Sequence, residues 1–214
     1  MTILCLESSA EPTVIGIVRG EHLVSERAFR NRDEFADSVE AMLREENLVP
    51  RELNVIALGI GPGSFTGLRV SLAFAKGLAR GLDIPIWPVS SLKIIAANVR
   101  YDVERIGVIS HARRGQVHFA VCHGANLSFL DGPRVVPHEA LLQSKEEMSL
   151  LIGPGVKFLG ETLCSKLSNL IPLDDDLHRP HSLKLAELAC EEWQNRTPPN
   201  ASDLVPEYGL EFGA

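Results

Sequence analysis

A glycine-rich segment, residues 61–67, constrains this chain more than any other feature. It reads Gly-Pro-Gly-Ser-Phe-Thr-Gly and follows an apolar run at 55–60, Val-Ile-Ala-Leu-Gly-Ile, of the kind that forms a buried strand. Three glycines within seven residues let the backbone turn sharply and approach another backbone or an anion closely. The residues that follow predict a helix that Ser64 or Thr66 caps and that Gly81 ends.

Small residues form two ridges on this predicted helix. At helical spacing the first ridge contains Gly67, Ser71, Ala75 and Ala79, and the second contains Ala73, Gly77 and Gly81. Each interior glycine costs about 1 kcal/mol of helix propensity relative to alanine, so a close contact must offset that cost. Two contacts would do so: packing on the chain's own sheet, or packing against a helix of a partner subunit.

Two phosphate-binding motifs fail in the glycine segment. The phosphate loop of nucleotide hydrolases needs a lysine and a hydroxyl after its last glycine, where this chain has Leu68 and Arg69. The dinucleotide fingerprint needs a glycine at the position of Thr66, and the acidic residue expected at the end of the next strand is missing. Backbone amides at a helix start still attract anions, so Gly61 and Gly63 remain candidates for a nucleotide contact.

Charge and cysteine usage exclude several classes of protein. The 214 residues carry a formal net charge of −7, which argues against a chain that grips nucleic acid by itself. The four cysteines are far apart in sequence and form no C-x-x-C pair, so we expect free thiols in a reducing compartment. The sequence has no basic leader and no run of membrane-spanning length, and we therefore expect a cytoplasmic protein without membrane contact.

The order of predicted elements indicates an α/β protein made of two similar halves. The first half reads as strands at 2–6, 13–18 and 22–29, an amphipathic helix at 34–46 with Asp33 as its cap, the strand at 55–60, the small-residue helix, a strand near 84–88 and a helix near 90–99. A strand and hairpin pattern restarts at residue 104. We therefore expect an N-terminal half at 1–102 and a smaller C-terminal half at 103–214, whose tail could return to the first.

Four segments of the chain resemble the TsaB (YeaZ) family in their order and spacing, and the resemblance spans essentially the whole chain. They are Glu7-Ser8-Ser9, the string Gly-Pro-Gly-Ser-Phe-Thr-Gly-Leu-Arg at 61–69, Pro-Val-Ser-Ser-Leu at 88–92 and Ala-Arg-Arg-Gly at 112–115. The resemblance implies two actin-like or sugar-kinase-like halves, the ASKHA fold, each a mixed sheet with helices. It also implies a non-catalytic partner of TsaD, the transferase that places a threonylcarbamoyl group on an adenosine beside the anticodon of certain tRNAs.

The same resemblance implies the partners and the binding surface. In the family the first two helices of the N-terminal half bind TsaD, or form a homodimer when TsaD is absent. Carried over to this chain, the interface residues are Phe35, Val39, Met42, Gly67, Arg69, Ser71, Ala75, Lys76 and Ala79. A TsaE-like ATPase is a further partner, and tRNA is reached only through the complex. The chain is expected to have no cofactor of its own, with ATP or ADP and magnesium in the assembled complex.

The chain departs from the family pattern at positions that matter for nucleotide binding. Relatives have Asp-Thr-Ser where this chain has Glu7-Ser8-Ser9, so the carboxylate is kept but lies one methylene further from the backbone. In the ATP-using members of the fold this turn faces the nucleotide phosphates and the metal. His111 stands where an aspartate is common, and the tail segment 206–210 reads Pro-Glu-Tyr-Gly-Leu in place of Pro-x-Tyr-Leu-Arg.

The sequence offers no catalytic residue and no metal site. The transferase branch binds its metal through an H-x-x-x-H pair on a helix, and none of the seven histidines has that spacing. There is no serine nucleophile elbow and no recognisable cysteine–histidine motif. A small-molecule kinase or ATPase of the actin-like fold remains the main alternative, because hydroxyls at Ser8 and Ser9 accompany the glycine segment. A metallopeptidase is a third hypothesis.

Overall fold

A five-stranded mixed sheet forms the first half of the molecule. Its strands are β1 (Thr2–Glu7), β2 (Thr13–Arg19), β3 (His22–Phe29), β4 (Val55–Gly59) and β5 (Ile86–Val89), in the order β3-β2-β1-β4-β5. The first three strands are an antiparallel meander, and β4 and β5 continue the sheet parallel to β1. The structure, a computed structural model, describes residues 1–30, 34–99 and 103–209.

Helices cover both faces of this sheet. Helices α1 (Phe35–Glu45) and α2 (Phe65–Leu82) pack on one face, where they meet Leu4 and Leu6 of β1. Side chains alternate between faces along a strand, so Ile3 and Cys5 point to the opposite face. Helix α5 (Ser182–Asn195) covers that second face. Because both faces are covered, every residue of β1 is buried.

A four-stranded sheet repeats the pattern in the second half. Its strands are β6 (Arg105–His111), β7 (Gln116–His123), β8 (Phe129–Pro137) and β9 (Leu150–Ile152), in the order β8-β7-β6-β9. Three antiparallel strands are again followed by one that runs parallel to the first of them. Helix α4 (Glu161–Lys166) packs on one face, and helix α3 (Ser91–Ala96) packs on the other. The expected fold of two similar mixed α/β halves is confirmed.

The C-terminal end of the chain packs against the first half. Helix α5 buries Leu185 and Ala189 against the first sheet, and Trp193 stacks on Trp87 of β5 with 6.1 Å between ring centroids. Residues 201–209 then run back along α2 and the glycine segment. The sequence predicted a C-terminal half at 103–214 whose tail could return to the first half, and its last helix, α5, packs in the core of the first half. The predicted division after 102 lies outside the described residues.

The start of α2 follows the sequence prediction and its end differs slightly. Ser64 caps the helix, because its hydroxyl accepts a hydrogen bond from the amide of Gly67 at 3.3 Å. The helix passes Gly81 and ends at Leu82, where Asp83 adopts a left-handed conformation with φ of 56°. The predicted cap of α1, Asp33, lies outside the described residues.

Seven of the nine predicted interface residues lie in the chain's own core. They are Phe35, Val39, Met42, Gly67, Ser71, Ala75 and Ala79. On α2 these small residues share a face with Leu68 and Leu72, which are also buried. The first ridge therefore packs on the chain's own sheet and is not a partner surface in this conformation. Arg69 is exposed and Lys76 is half-buried, so only these two of the nine present substantial surface to solvent.

All four cysteines are free, as predicted, and Cys5 and Cys122 are buried. Burial raises the pKa of the Cys122 thiol to about 12. No helix among the described residues is both long enough and apolar enough to cross a bilayer.

Replacing Ala75 by tryptophan should destabilise the isolated chain. Ala75 is fully buried, and an oversized side chain in a packed core costs about 1–3 kcal/mol or more. The matched control is Ala73→Trp, two residues away on the exposed side of the same helix. Urea denaturation should show a lower midpoint for Ala75→Trp and an unchanged midpoint for Ala73→Trp. Equal urea midpoints for the two variants would show that Ala75 does not lie on the buried face of α2.

Candidate functional site

The turn after β1 and the loop after β4 meet at one edge of the first sheet. Because β1 and β4 are adjacent and parallel, their carboxyl ends lie side by side. Glu7-Ser8-Ser9 leaves β1 there, and Gly61 and Gly63 leave β4. The structure therefore brings together all five residues that were predicted to contact nucleotide.

These two segments touch each other directly. The amide of Ser64 donates to the carbonyl of Ser9 at 2.7 Å. The hydroxyl of Ser8 lies 2.8 Å from the carbonyl of Gly67 and 2.7 Å from the hydroxyl of Ser71. A methyl group placed on Gly63 would overlap the carbonyl of Ser9. The glycines of the loop thus allow the backbone of the turn to approach closely.

The three residues of the turn that were predicted to contact nucleotide are buried. Glu7, Ser8 and Ser9 are only 2%, 1% and 3% exposed. The Ser8 hydroxyl, the Glu7 carboxylate and the backbone of Ser9 all make hydrogen bonds within the chain. The turn and the loop thus form an internal joint between β1, β4 and α2, and a nucleotide contact at these residues stays a prediction.

The carboxylate of Glu7 anchors a buried hydrogen-bond network. Its Oε1 accepts from the amide of Ser9 at 2.6 Å, and its Oε2 accepts from the hydroxyl of Ser91 at 2.7 Å. Ser91 in turn exchanges hydrogen bonds with the backbone of Gly61, at 3.1 Å and 2.7 Å. Burial raises the pKa of Glu7, and hydrogen bonds from Ser9, Ser91 and Ser8 oppose that rise. One side chain therefore ties β1, the glycine loop and α3 together.

The C-terminal segment covers the loop from the outside. The amide of Glu207 donates to the carbonyl of Ile60 at 2.7 Å. Gly61 has φ of +110°, and a methyl group there would overlap the carbonyl of Glu207. The hydroxyl of Tyr208 accepts from Nε of Arg69 at 2.9 Å. The glycine loop is thus enclosed by the turn on one side and by residues 207–208 on the other.

The second small-residue ridge of α2 faces outward. We call the residues Thr66, Arg69, Ala73, Gly77, Arg80 and Gly81 the α2 outer face, and all six are exposed. A methyl group on Gly77 or Gly81 would meet no atom within 4 Å. Two arginines therefore flank a strip of backbone that carries almost no side chain. This bare face is the candidate partner surface.

Histidines and acidic residues do not form a metal centre in the described parts of the chain. No three His, Cys, Asp or Glu side chains within 1–30, 34–99 and 103–209 lie close enough together to hold a metal ion. His118 is buried, and burial lowers its pKa to about 4. His178 accepts a hydrogen bond from the amide of Gly153 at 3.2 Å, which ties two loops of the second half.

The sequence predictions missed two residues of this region. Ser91 lies 84 residues from Glu7 in the chain, and no local pattern marks it as the donor to that carboxylate. Tyr208 is 139 residues from Arg69. The orientation of α2 did have a signal, because Leu68 and Leu72 lie at helical spacing with Ser71, Ala75 and Ala79 and mark the buried stripe.

Comparisons with known proteins agree with this architecture. The chain superposes on YeaZ from Pseudomonas aeruginosa with a TM-score of 0.75 at 21% identity, covering 97% of this chain and 99% of that one. It superposes on the ROK hexokinase from Thermus thermophilus with a TM-score of 0.51 at 12% identity, covering 90% of this chain and 100% of that one. The protein thus has the actin-like, sugar-kinase-like fold.

Sequence comparison identifies the family. A family model described as TsaD, tRNA N6-adenosine threonylcarbamoyltransferase, matches residues 25–156, more than half of the chain. The tRNA threonylcarbamoyladenosine biosynthesis protein TsaB of Haemophilus influenzae is 26% identical over 97% of this chain and 93% of its own length. The Bacillus subtilis protein of the same name is 38% identical over 55% of this chain, a match that spans about half (53%) of that relative. The chain belongs to this TsaD family and, within it, to the TsaB (YeaZ) group.

One substitution made at two glycines of α2 should have opposite effects. In Gly67→Ala the new methyl group overlaps the carbonyl of Ser8, so the backbone must shift and the chain should lose stability. In Gly77→Ala the methyl group meets nothing, and the gain in helix propensity should stabilise the chain by about 0.5–1 kcal/mol. Guanidinium denaturation measures both changes. A stable Gly67→Ala variant would show that turn and loop do not touch.

Glu7→Gln should change how stability depends on pH. The folded pKa of Glu7 is raised above its ordinary value of 4.5, so the unfolded chain ionises first and wild-type stability falls as pH rises from about 4.5 through the raised value. Glutamine removes that dependence while keeping an acceptor for the amide of Ser9. The free energy of unfolding of Glu7→Gln, relative to wild type, should therefore rise between pH 4.5 and pH 8. If the difference in free energy of unfolding between variant and wild type did not change with pH, the pKa of Glu7 would not be raised in the folded chain.

Proposed function

We propose that this chain is an accessory subunit of tRNA N6-threonylcarbamoyladenosine modification that binds and activates a TsaD-like transferase. The observation that carries the proposal is the bare α2 outer face. The family of the chain supports a role in this tRNA modification, because the curated relatives are named tRNA threonylcarbamoyladenosine biosynthesis proteins. The proposed partner would then be a relative of this chain, because the TsaD family model also matches residues 25–156.

The α2 outer face suits close helix packing. With only a hydrogen or a methyl group at Ala73, Gly77 and Gly81, a partner helix can approach until the backbones nearly touch. Arg69 and Arg80 lie beside this strip and would meet carboxylates on the partner. The neighbouring helix α1 exposes Asp37 and Glu40, which favour basic partner groups at that edge. The partner surface is thus a narrow ridge with acidic groups over α2 and basic groups over α1.

The same face would also serve a homodimer when the transferase is absent. A two-fold axis crossing α2 near Gly77 would place two bare strips against each other. Because one face cannot hold both occupants, the transferase and a second copy of the chain compete. A TsaE-like ATPase, ATP or ADP with magnesium, and tRNA then belong to the assembled complex.

A non-catalytic role is supported by how the turn and loop are used. A kinase or ATPase of this fold uses the end of β1 to hold nucleotide phosphates, whereas here the carbonyl of Ser9 accepts a hydrogen bond from the amide of Ser64. Glu7 is committed to Ser9 and Ser91 and does not face a cleft. The binding role therefore accounts for more of the structure than the kinase alternative does.

Tryptophan on the α2 outer face should abolish partner binding. Ala73→Trp and Gly77→Trp place a large group on the bare strip and keep two helices apart, and tryptophan has a better helix propensity than the glycine it replaces. Calorimetric titration with the cognate TsaD-like transferase should show at least a hundredfold weaker affinity for both variants, with unchanged thermal stability.

The matched control is Leu130→Trp, an exposed position on β8 of the second half that is 50% exposed in the wild type. It adds the same side chain to a strand away from α2 and should bind the transferase normally. Normal binding by Gly77→Trp would place the interface elsewhere. Loss of binding by Leu130→Trp as well would mean that surface tryptophan impairs the complex unspecifically.

A further inference from the structure

A cavity of about 430 Å³ lies at the start of helix α5. Four segments line it: β3 at Leu23, Asn98 after α3, Asp174 and Asp176 in the loop before α5, and the first turn of α5 at Leu183 and Lys184. Helix α5 covers the face of the first sheet opposite to α2, so the cavity lies apart from the glycine loop and the α2 outer face. Its volume is within the range of small-molecule sites, about 300–1,000 Å³.

The side chain of Asn98 supplies a hydrogen-bond acceptor that is not used within the described chain. Asn98 is only 6% exposed. Its Nδ2 donates to the carbonyl of Arg179 at 2.6 Å and, at 3.4 Å, to the carbonyls of Asp176 and Leu177. Because carbonyls only accept, these bonds fix which side of the amide carries Nδ2 and which carries Oδ1. The Oδ1 atom is buried and accepts from no described residue, so it calls for a donor from outside the chain.

The carboxylate of Asp174 makes no ion pair with any described residue. Its Oδ1 accepts from the amide of Asp176 at 3.1 Å. The nearby cations are committed to other carboxylates, because Lys184 pairs with Glu187 at 2.6 Å and Arg179 pairs with Asp176 at 2.9 Å. The lining therefore contains one carboxylate whose charge no described side chain balances.

The start of helix α5 does not call for an anionic ligand. Its first amide, that of Ser182, donates to Oε2 of Glu26 at 2.7 Å, and Oε1 of Glu26 accepts from Arg179 at 3.0 Å. The positive end of the helix dipole therefore already faces a carboxylate of the chain. The Nε2 atom of His181, which also lines the cavity, donates to the carbonyl of Asp176 at 2.9 Å. These donors are thus used within the chain.

Leucine side chains complete the lining. Leu23 is 42% exposed, and Leu177 and Leu183 are half-buried. A ligand that suits the cavity therefore combines a cationic donor with a short aliphatic body. A primary ammonium group carries three hydrogens, which matches a site with several oxygen acceptors, and its bonds to a carboxylate are charge-assisted.

We propose that this cavity binds a small aliphatic amine in its ammonium form, with the nitrogen held by Asn98 and Asp174 and the chain packed on Leu23 and Leu183. The ammonium group gives Oδ1 of Asn98 a donor and balances the charge of Asp174. The site does not rest on the partner binding proposed above, since no described residue of its lining lies on α2. Its occupation joins the loop before α5 to β3 and to the end of α3.

The test uses the full chain and three probes, monitored by proton–nitrogen correlation spectra. Butylammonium carries a cationic head and an aliphatic chain, methylammonium carries the head alone, and butanol carries the chain without a charge. We expect saturable binding of butylammonium, with shifts at the side-chain amide of Asn98 and at the backbone amides of Asp174 and Leu183. Methylammonium and butanol should each bind at least about tenfold more weakly, since each lacks one half of the contact.

Two variants and one matched control separate binding at the cavity from general charge effects. Asp174→Asn should weaken butylammonium binding about tenfold, because asparagine keeps an acceptor for the amide of Asp176 but removes the charge. The control Asp175→Asn removes the neighbouring exposed carboxylate, which does not line the cavity, and should change affinity by less than about twofold. Leu23→Ala should reduce the preference for butylammonium over methylammonium, since less apolar surface meets the aliphatic chain.

The proposal is overturned if butylammonium shifts none of these amides, or if Asp174→Asn and Asp175→Asn weaken its binding equally. Butanol binding as tightly as butylammonium would reject the ammonium head, and methylammonium binding as tightly would reject the aliphatic body. Either result also overturns the proposal. An unchanged preference in Leu23→Ala would show that the aliphatic chain does not lie against β3 and would count against the site as well.

Discussion

The contact between the Glu7-Ser8-Ser9 turn and the start of α2 sets the geometry on which the rest of the first half depends. The hydroxyl of Ser8 lies against Gly67 and Ser71, one helical turn apart, and so fixes how α2 is rotated about its axis. With that rotation Leu68, Ala75 and Ala79 point into the core. Ala73 and Gly77 must then point to solvent, so the bare outer face is a consequence of the internal joint.

The joint also gives residues typical of phosphate binding a structural role within the chain. Glycine allows a phosphate to approach a backbone, and it equally allows a second backbone to do so. Here the carbonyls of Ser8, Ser9 and Glu207 take that space. The buried carboxylate of Glu7 accepts hydrogen bonds from the amide of Ser9 and the hydroxyl of Ser91, and so joins three chain segments. This local sequence therefore fixes the position of α2 and of its exposed outer face.

Much of the fold follows from local sequence patterns, and what does not follow depends on distant contacts. The strand meander, the two amphipathic helices and the restart near residue 104 were predictable, because apolar periodicity and turn residues are local. Which small ridge of α2 faces inward was misjudged, although Leu68 and Leu72 marked the buried stripe. Packing of α5 on the first sheet and of Tyr208 on Arg69 had no local signal, since each joins residues far apart in the chain. The pairing of Ser91 with Glu7 is of the same kind.

Side-chain footprinting can test whether the α2 outer face is the partner surface, by comparing the chain alone and in complex with a TsaD-like transferase. The probes are hydroxyl radicals and an arginine-specific reagent, read by mass spectrometry. If the outer face of α2 is the partner surface, Arg69 and Arg80 should lose reactivity in the complex, while Leu130 and Arg134 on β8 should keep theirs. Unchanged reactivity at Arg69 and Arg80, together with protection on β8, would contradict the claim that the outward face of α2 is the partner surface.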